Sequence, residues 1–220
     1  MIETNLERAR FNMVEQQIRP WEVLNQHVLD LIAESPRDEY VPPEYRNLAY
    51  ADMRIPLGHG QVMMSPKMEA RLLQELGIDK TDRILEVGTG SGYMTSLLAA
   101  LGAHVYSVEY FEDLKQSAAQ KLAEHGVENV TLETGDAAAG WDKYQPYDVI
   151  LITGSTPVLP EGFKQSLAEG GRLIAIVGRS PVMEVRLLQR LDENSWAETA
   201  LFETDLPPLI HAEEPEKFVF

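Results

Sequence analysis

The chain has no cysteine in its 220 residues. Disulfides, thiolate nucleophiles and cysteine-ligated zinc are therefore excluded. Basic residues are few: 19 Lys and Arg stand against 35 Asp and Glu, a net charge of −16. A surface of that sign repels phosphate backbones and anionic bilayers, so neither nucleic acid nor a membrane is an expected partner. Long hydrophobic runs are also missing; none approaches the roughly 20 apolar residues that span a bilayer. The five histidines (His27, His59, His104, His125, His211) have no metal-ligand spacing, and no metal is expected. The first residues, Met1 to Arg8, are polar and acidic, unlike a signal peptide, and the expected location is cytoplasmic. What remains is a chain that is 44% hydrophobic, enough for a packed core.

Glycine is the residue to follow next. Residues 84 to 93 read Ile-Leu-Glu-Val-Gly-Thr-Gly-Ser-Gly-Tyr. Gly88, Gly90 and Gly92 alternate straight after an apolar run and two residues beyond Glu86. Backbone without Cβ atoms turns sharply and approaches a ligand closely. A strand ending this way and opening a helix forms a nucleotide-shaped cradle. A dinucleotide site would want a small residue three positions after Gly90, where this chain has Tyr93. An acid followed by glycine at every second residue is instead the pattern of S-adenosylmethionine (SAM) binders, which release S-adenosylhomocysteine. Glu86, Gly88, Thr89, Gly90, Ser91 and Gly92 are the first candidate cofactor residues. The next apolar run, His104 to Val108, ends at Glu109, 19 residues after Gly90 and followed by Tyr110. An acid at that distance, at the tip of the second strand, can bind both ribose hydroxyls. Further on, Gly135-Asp136-Ala137 follows a third apolar run, where Asp136 and backbone at Ala137 can meet an adenine edge. The plainer alternative is a glycine-rich turn with no ligand and two solvated acids.

Around this motif the pattern is strand, helix, strand, helix. Strands are expected at 83–87, 105–108, 129–133, 147–152 and 172–177, and helices at 93–101, 112–125 and 162–168. Such alternation means a parallel sheet covered on both faces. Runs 183–191 and 197–203 flank Asp192-Glu193-Asn194-Ser195 and predict an antiparallel hairpin. Upstream, helices are expected over 4–18, 22–34 (with Val23, Leu24, Val28, Leu29 and Ile32 inward) and from Pro66 to a stop at Gly77. The proline-marked stretch 40–58 between them reads as irregular structure and a substrate-side cover. The expected fold is thus a three-layer, Rossmann-like α/β methyltransferase sheet, mostly parallel, with a C-terminal antiparallel hairpin and an N-terminal helical extension. Residues 1–78 form the helices and substrate-side loop, and 79–220 the SAM-binding core.

Residues 10 to 178 resemble the protein-L-isoaspartate (D-aspartate) O-methyltransferases. The matching pieces include Met13 to Ile18, Pro36-Arg37, Tyr40-Val41-Pro42, Ala49-Tyr50-Ala51-Asp52, Ile55 to Gln61, Ile84 to Tyr93, Ser107-Val108-Glu109, Gly135-Asp136 with Gly140-Trp141, Pro146-Tyr147-Asp148 and Gly170-Gly171. The core motif alone says SAM-dependent methyltransferase; the upstream pieces are the specific ones. The resemblance implies methyl transfer from SAM to the free carboxylate of L-isoaspartyl or D-aspartyl residues in damaged proteins, with an isoaspartate-bearing protein or peptide as partner. One stretch departs. The family carries Thr-Ile-Ser-x-Pro where this chain has Val62-Met63-Met64-Ser65-Pro66, so Met64 holds the position of the family's active-site serine. Ser65 is one residue late, and in an extended segment that turns a side chain to the opposite face. Ser65 stands either as a displaced catalytic hydroxyl or as a helix cap. Val62, Met63 and Met64 form either a more apolar substrate wall, with His59 beside it, or plain core. Asp52 either orients a substrate amide or is a solvated acid, and Arg37 is expected in a structural salt bridge. Two further functions stay open: a methyltransferase of the same fold acting on another, small-molecule acceptor, and a SAM-binding module that has lost catalysis.

Overall fold

The computed structural model describes the backbone of residues 2–215 and side chains from residue 5 onward. Met1 and residues 216–220, the outer ends of the two expected segments, lie outside the described residues.

The centre is a seven-stranded sheet: β3 (Arg83–Val87), β4 (His104–Glu109), β5 (Val130–Thr134), β6 (Tyr147–Thr156), β7 (Leu167–Arg179), β8 (Val182–Arg190) and β9 (Trp196–Thr204). Two short strands, β1 (Ile55–Gly58) and β2 (Gln61–Met63), precede it. The spatial order is β5-β4-β3-β6-β7-β8-β9. β5, β4, β3, β6 and β7 pair in parallel, while β8 and β9 pair antiparallel. The parallel sheet and the C-terminal hairpin expected from the sequence are both present. The inner strands are buried on both faces, which is why they read as continuous apolar runs. Along β6 the side chains alternate between two cores: Val149 and Leu151 join one cluster, Ile150 and Ile152 the other.

The larger cluster lies under α1 (Ile2–Met13), α2 (Gln26–Glu34), α4 (Pro66–Leu76), α5 (Tyr93–Leu101) and α6 (Glu112–Glu124), joining Met13, Leu29, Leu72, Leu97 and Leu122 to Ile84 and Ile174 of the sheet. The N-terminal helices therefore share one core with the sheet. The smaller cluster on the opposite face is covered by Phe163 of α7 (Glu161–Ser166) and by Ala137 and Trp141 of the loop after β5. Among the described residues no helix is long and apolar enough to cross a membrane.

Several local expectations are corrected. α1 stops at Met13 and widens into a π-helical turn over Val14–Ile18. α2 begins at Gln26 instead of near residue 22, because Asn25 caps it by accepting from the N–H groups of His27 and Val28. Glu22 is left-handed (φ 62°), and Leu24, expected inward, is 77% exposed. The proline-marked stretch is ordered: α3 (Arg37–Tyr40) and a 3-10 turn (Pro43–Leu48) lead into the antiparallel pair β1–β2. β6 runs on to Thr156, past the expected end at residue 152.

The chain order places the site. From β3 the chain winds outward through β4 to β5, then returns to lay β6 on the other side of β3. The crevice beyond the carboxyl ends of β3 and β6 is the switch point where ligands bind in open α/β sheets.

Candidate active site

β3 ends at Val87, and the glycine turn begins there. Gly88 (φ 97°), Gly90 (φ 54°) and Gly92 (φ 84°) are all left-handed, a conformation that side chains disfavour. Each also has a steric reason to lack a Cβ. At Gly88 a Cβ would collide with the Thr153 hydroxyl, which donates to the carbonyls of Val87 (2.8 Å) and Gly88 (2.7 Å) and ties β6 to β3 across the switch point. At Gly90 it would stand 3.1 Å from Leu57 on β1. At Gly92 it would stand 3.1 Å from Ala118, so this third glycine serves the packing of α5 against α6.

Beyond the turn lies a cleft enclosing about 670 Å³ of space between atoms, part of it open to solvent. Gly88, Gly90, Glu109, Tyr110, Asp136 and Ala137 line it. Glu109 is buried at the carboxyl end of β4. One of its oxygens accepts from the Gly90 N–H (2.8 Å), the other from the Phe111 N–H (3.0 Å). Each oxygen keeps a second lone pair for a hydroxyl. Asp136 accepts from the Ala138 N–H at 3.1 Å and from Nδ1 of His211 at 2.7 Å. Burial pushes its carboxyl up, but these two donors outweigh that and hold it below the ordinary aspartate range. It is thus an ionised acceptor near neutral pH.

Thr89 and Ser91 face a smaller cavity behind the turn, shared with Val62, Met63, Met64 and Met94. The two spaces have Leu57, Val62, Gly88, Gly90 and Thr153 in common. Met63 and Met64 are both 4% exposed. Beneath them is a buried pair, Arg37 with Glu69. The Arg37 guanidinium also donates to the carbonyls of Met64 (2.6 Å) and Ala49 (2.8 Å) and lies over the Tyr93 ring at 5.0 Å.

Five sequence candidates line neither space. Glu86 is fully buried behind the turn, where one oxygen accepts from Thr95 (2.5 Å) and Ser107 (2.6 Å) and the other has no partner. Burial pushes its carboxyl from 4.5 up to about 8, against the pull of those hydroxyls. It is a neutral internal brace at neutral pH, set behind the cleft wall because its side chain alternates to the opposite face from the ligand side. Gly92 packs against α6. Asp52 is turned to Lys67 of α4, Oδ2 to Nζ 2.7 Å. Ser65 occupies the N-cap position of α4, yet its hydroxyl makes no capping bond; its backbone carbonyl accepts from the Met68 and Glu69 N–H groups instead. His59, left-handed at φ 52°, stacks on Phe111 (ring centroids 4.1 Å apart) and pairs with Asp113 at 2.9 Å. It thereby fastens the β1–β2 turn to α6.

Sequence reasoning missed two walls. Thr153 and Gly154, at the end of β6, line the cleft and could have been found by applying the strand-end rule to residues 147–152. The other wall is residues 205–212, a strap that lies alongside β6 in parallel at Ser155. The Ser155 N–H donates to the Pro207 carbonyl (3.0 Å), and the Leu209 N–H donates to the Ser155 carbonyl (2.8 Å). Leu206, Pro207, Leu209 and Ile210 close the cleft from that side. Only the proline pair and its apolar neighbours hinted at a packed extended segment.

The residues that gather here fit an adenosyl ligand: a close-approach turn, an acid on the second strand tip and an ionised acceptor on the third. Comparison with known proteins decides the family. The family model described as protein-L-isoaspartate(D-aspartate) O-methyltransferase matches residues 8–213.

The chain belongs to that family.

It is 41% identical to protein-L-isoaspartate O-methyltransferase 1 of Anaeromyxobacter sp. (strain Fw109-5) over 183 residues, 83% of this chain and 84% of the relative. It is 40% identical to the protein-L-isoaspartate O-methyltransferase of Anaeromyxobacter dehalogenans (strain 2CP-C), over 86% of this chain and 91% of that one. A solved protein-L-isoaspartate O-methyltransferase superposes with a TM-score of 0.77 at 26% identity, covering 90% of this chain. This chain spans 65% of that larger protein. A Plasmodium falciparum β-aspartate methyltransferase, solved with S-adenosyl-L-homocysteine, shares the fold at a TM-score of 0.76 and 19% identity. Membership of the isoaspartyl methyltransferase family makes this chain a SAM-dependent carboxyl methyltransferase.

Proposed function

We propose that the chain esterifies the free carboxylate of L-isoaspartyl or D-aspartyl residues in damaged proteins, with the switch-point cleft holding the methyl donor. The observation that carries this reading is Glu109, buried in the cleft lining and tied through Gly90 N–H to the glycine turn. When bound, SAM supplies a methyl carbon made electrophilic by its positive sulfur. Glu109 would accept the ribose hydroxyls on its remaining lone pairs, and Asp136 with backbone at Ala137 would meet the adenine edge. Gly88 and Gly90 let the ligand lie against bare backbone. Val87, Val108, Phe111, Leu209 and Ile210 keep water from the bound ligand.

The acceptor carboxylate is ionised at neutral pH and needs no general base. The chain's task is to hold oxygen, methyl carbon and sulfur in line, and such positioning can contribute as much as roughly 7–11 kcal/mol. A single orienting hydroxyl contributes far less, about 1–3 kcal/mol against a charged partner. Loss of the family's serine at Met64 is therefore expected to slow turnover and does not by itself require that turnover be lost. The net charge of −16 argues against nucleic acid or an anionic membrane as partner, and the reading includes a cytoplasmic location.

Incubation with labelled SAM and paired isoaspartyl and aspartyl peptides tests this. A base-labile methyl ester on the isoaspartyl peptide alone, with equimolar S-adenosylhomocysteine, is expected. Intact SAM binding with no ester at high enzyme concentration would overturn it. Met64 favours one second reading, a methyltransferase of the same fold acting on another, small-molecule acceptor; Met64→Ser then gives no gain on the isoaspartyl peptide.

A further inference from the structure

The two oxygens of Asp136 are held by two different segments of the chain. Oδ1 accepts from the Ala138 N–H in its own loop. Oδ2 accepts from His211, 75 residues away on the strap. An ionised carboxylate only accepts, so Nδ1 of His211 carries the proton. His211 is placed with care. Its backbone is left-handed (φ 60°), the Ala212 N–H closes a turn onto the Leu209 carbonyl at 3.1 Å, and its ring meets the Tyr110 ring edge-on with centroids 5.4 Å apart. Tyr110 and Asp136 both line the cleft, as do the strap residues just before His211.

We propose that His211 is a positioning residue for the donor's base: by fixing Oδ2 of Asp136 it aims that carboxylate at the exocyclic amine of adenine and makes the site prefer a 6-amino over a 6-oxo purine. This rests on the cleft being the donor site. A carboxylate pinned at each oxygen by one donor keeps a single plane, and each oxygen still has a lone pair for an amine N–H. A 6-oxo purine turns an acceptor towards that fixed acceptor and leaves the carboxylate poorly matched. Without His211 only the Ala138 N–H remains, and the carboxylate can rotate away from either base. The pair is open to solvent (His211 side chain 62% exposed, Asp136 44%), so its contribution is modest.

The test is calorimetric titration of the full chain with S-adenosylhomocysteine and with its 6-oxo counterpart, S-inosylhomocysteine. The unaltered protein should prefer the adenosyl ligand. His211→Ala should weaken that ligand about two- to fivefold without weakening the inosyl ligand, contracting the preference by at least that factor. His211→Asn, whose amide nitrogen reaches roughly where Nδ1 lies, should restore it. In an Asp136→Asn background, His211→Ala should no longer move the ratio. A ratio unchanged by His211→Ala, whether both affinities fall together or neither falls, overturns the proposal. So does a shift that persists in the Asp136→Asn background. If the unaltered protein binds neither ligand, the donor reading of the cleft falls and this proposal falls with it; adenosyl binding with an unmoved ratio removes only this proposal.

Discussion

Glu86 and Glu109 occur on neighbouring strands and have opposite lives. Glu109 ends its strand in the cleft, where its two oxygens accept from the backbone N–H groups of Gly90 and Phe111. Glu86 lies two positions further back along the sheet, level with Ser107, with one oxygen unpartnered, and burial raises its carboxyl to about 8. A carboxyl with a raised folded-state pKa binds its proton more tightly folded than unfolded. Its stabilising contribution is complete below the unfolded value of 4.5 and is lost as pH rises through about 8. Glu86→Gln should therefore flatten the fall in melting temperature between pH 5 and 9, measured by thermal unfolding, while keeping the fold. Glu109→Gln behaves differently: its NH₂ group must face one of the two N–H donors now accepted. Titration with S-adenosylhomocysteine should show at least about a tenfold loss of affinity. A third residue, Glu69, is the partner of the wholly buried Arg37. Glu69→Ala strands that guanidinium and should cost about 3–5 kcal/mol in urea unfolding.

At the scale of elements, the glycine turn and the end of β6 act as one piece, because the Thr153 hydroxyl reaches across to the turn. Gly88→Ala would force a Cβ into that hydroxyl at a left-handed position. Backbone strain of about 1–3 kcal/mol follows, and cofactor affinity should fall in the same titration. Elements were also where the sequence was most readable. β3 to β6, with α5 and α6 among them, carry strong periodicity and glycine punctuation, which made the strand ends around the cleft readable; the switch point itself comes from the spatial order of the strands. Readability failed where a cap, a very short strand or a tertiary contact overrides the periodic pattern. Asn25 capping delays α2 past residues 22–24, and the β1–β2 pair hides in a proline-marked stretch because each strand has only a few residues. Site residues followed the same division. Strand-tip positions such as Glu109 and Asp136 could be read from spacing; His59, Asp52 and Ser65 could not, since their partners Asp113 and Lys67, and the backbone capping of α4, are set by tertiary packing. The strap had no spacing rule to reveal it.

The molecule as a whole carries a net charge of −16. Self-repulsion of this size works against the compact state and is screened by salt. Raising sodium chloride from about 20 to 200 mM, where the screening length approaches that of physiological buffer, should increase the melting temperature at pH 7.5.

The cleft lining is drawn from segments far apart in the chain, from Leu57 through Glu109 to Ile210. No contiguous fragment of the chain owns the pocket. A preparation nicked by protease near Leu57 or Ile210 would keep its sheet, its circular dichroism and its elution volume, yet fail to retain nucleoside. Ligand retention is therefore the more sensitive gauge of sample integrity, and it will register damage that spectroscopic assays of secondary structure pass as sound.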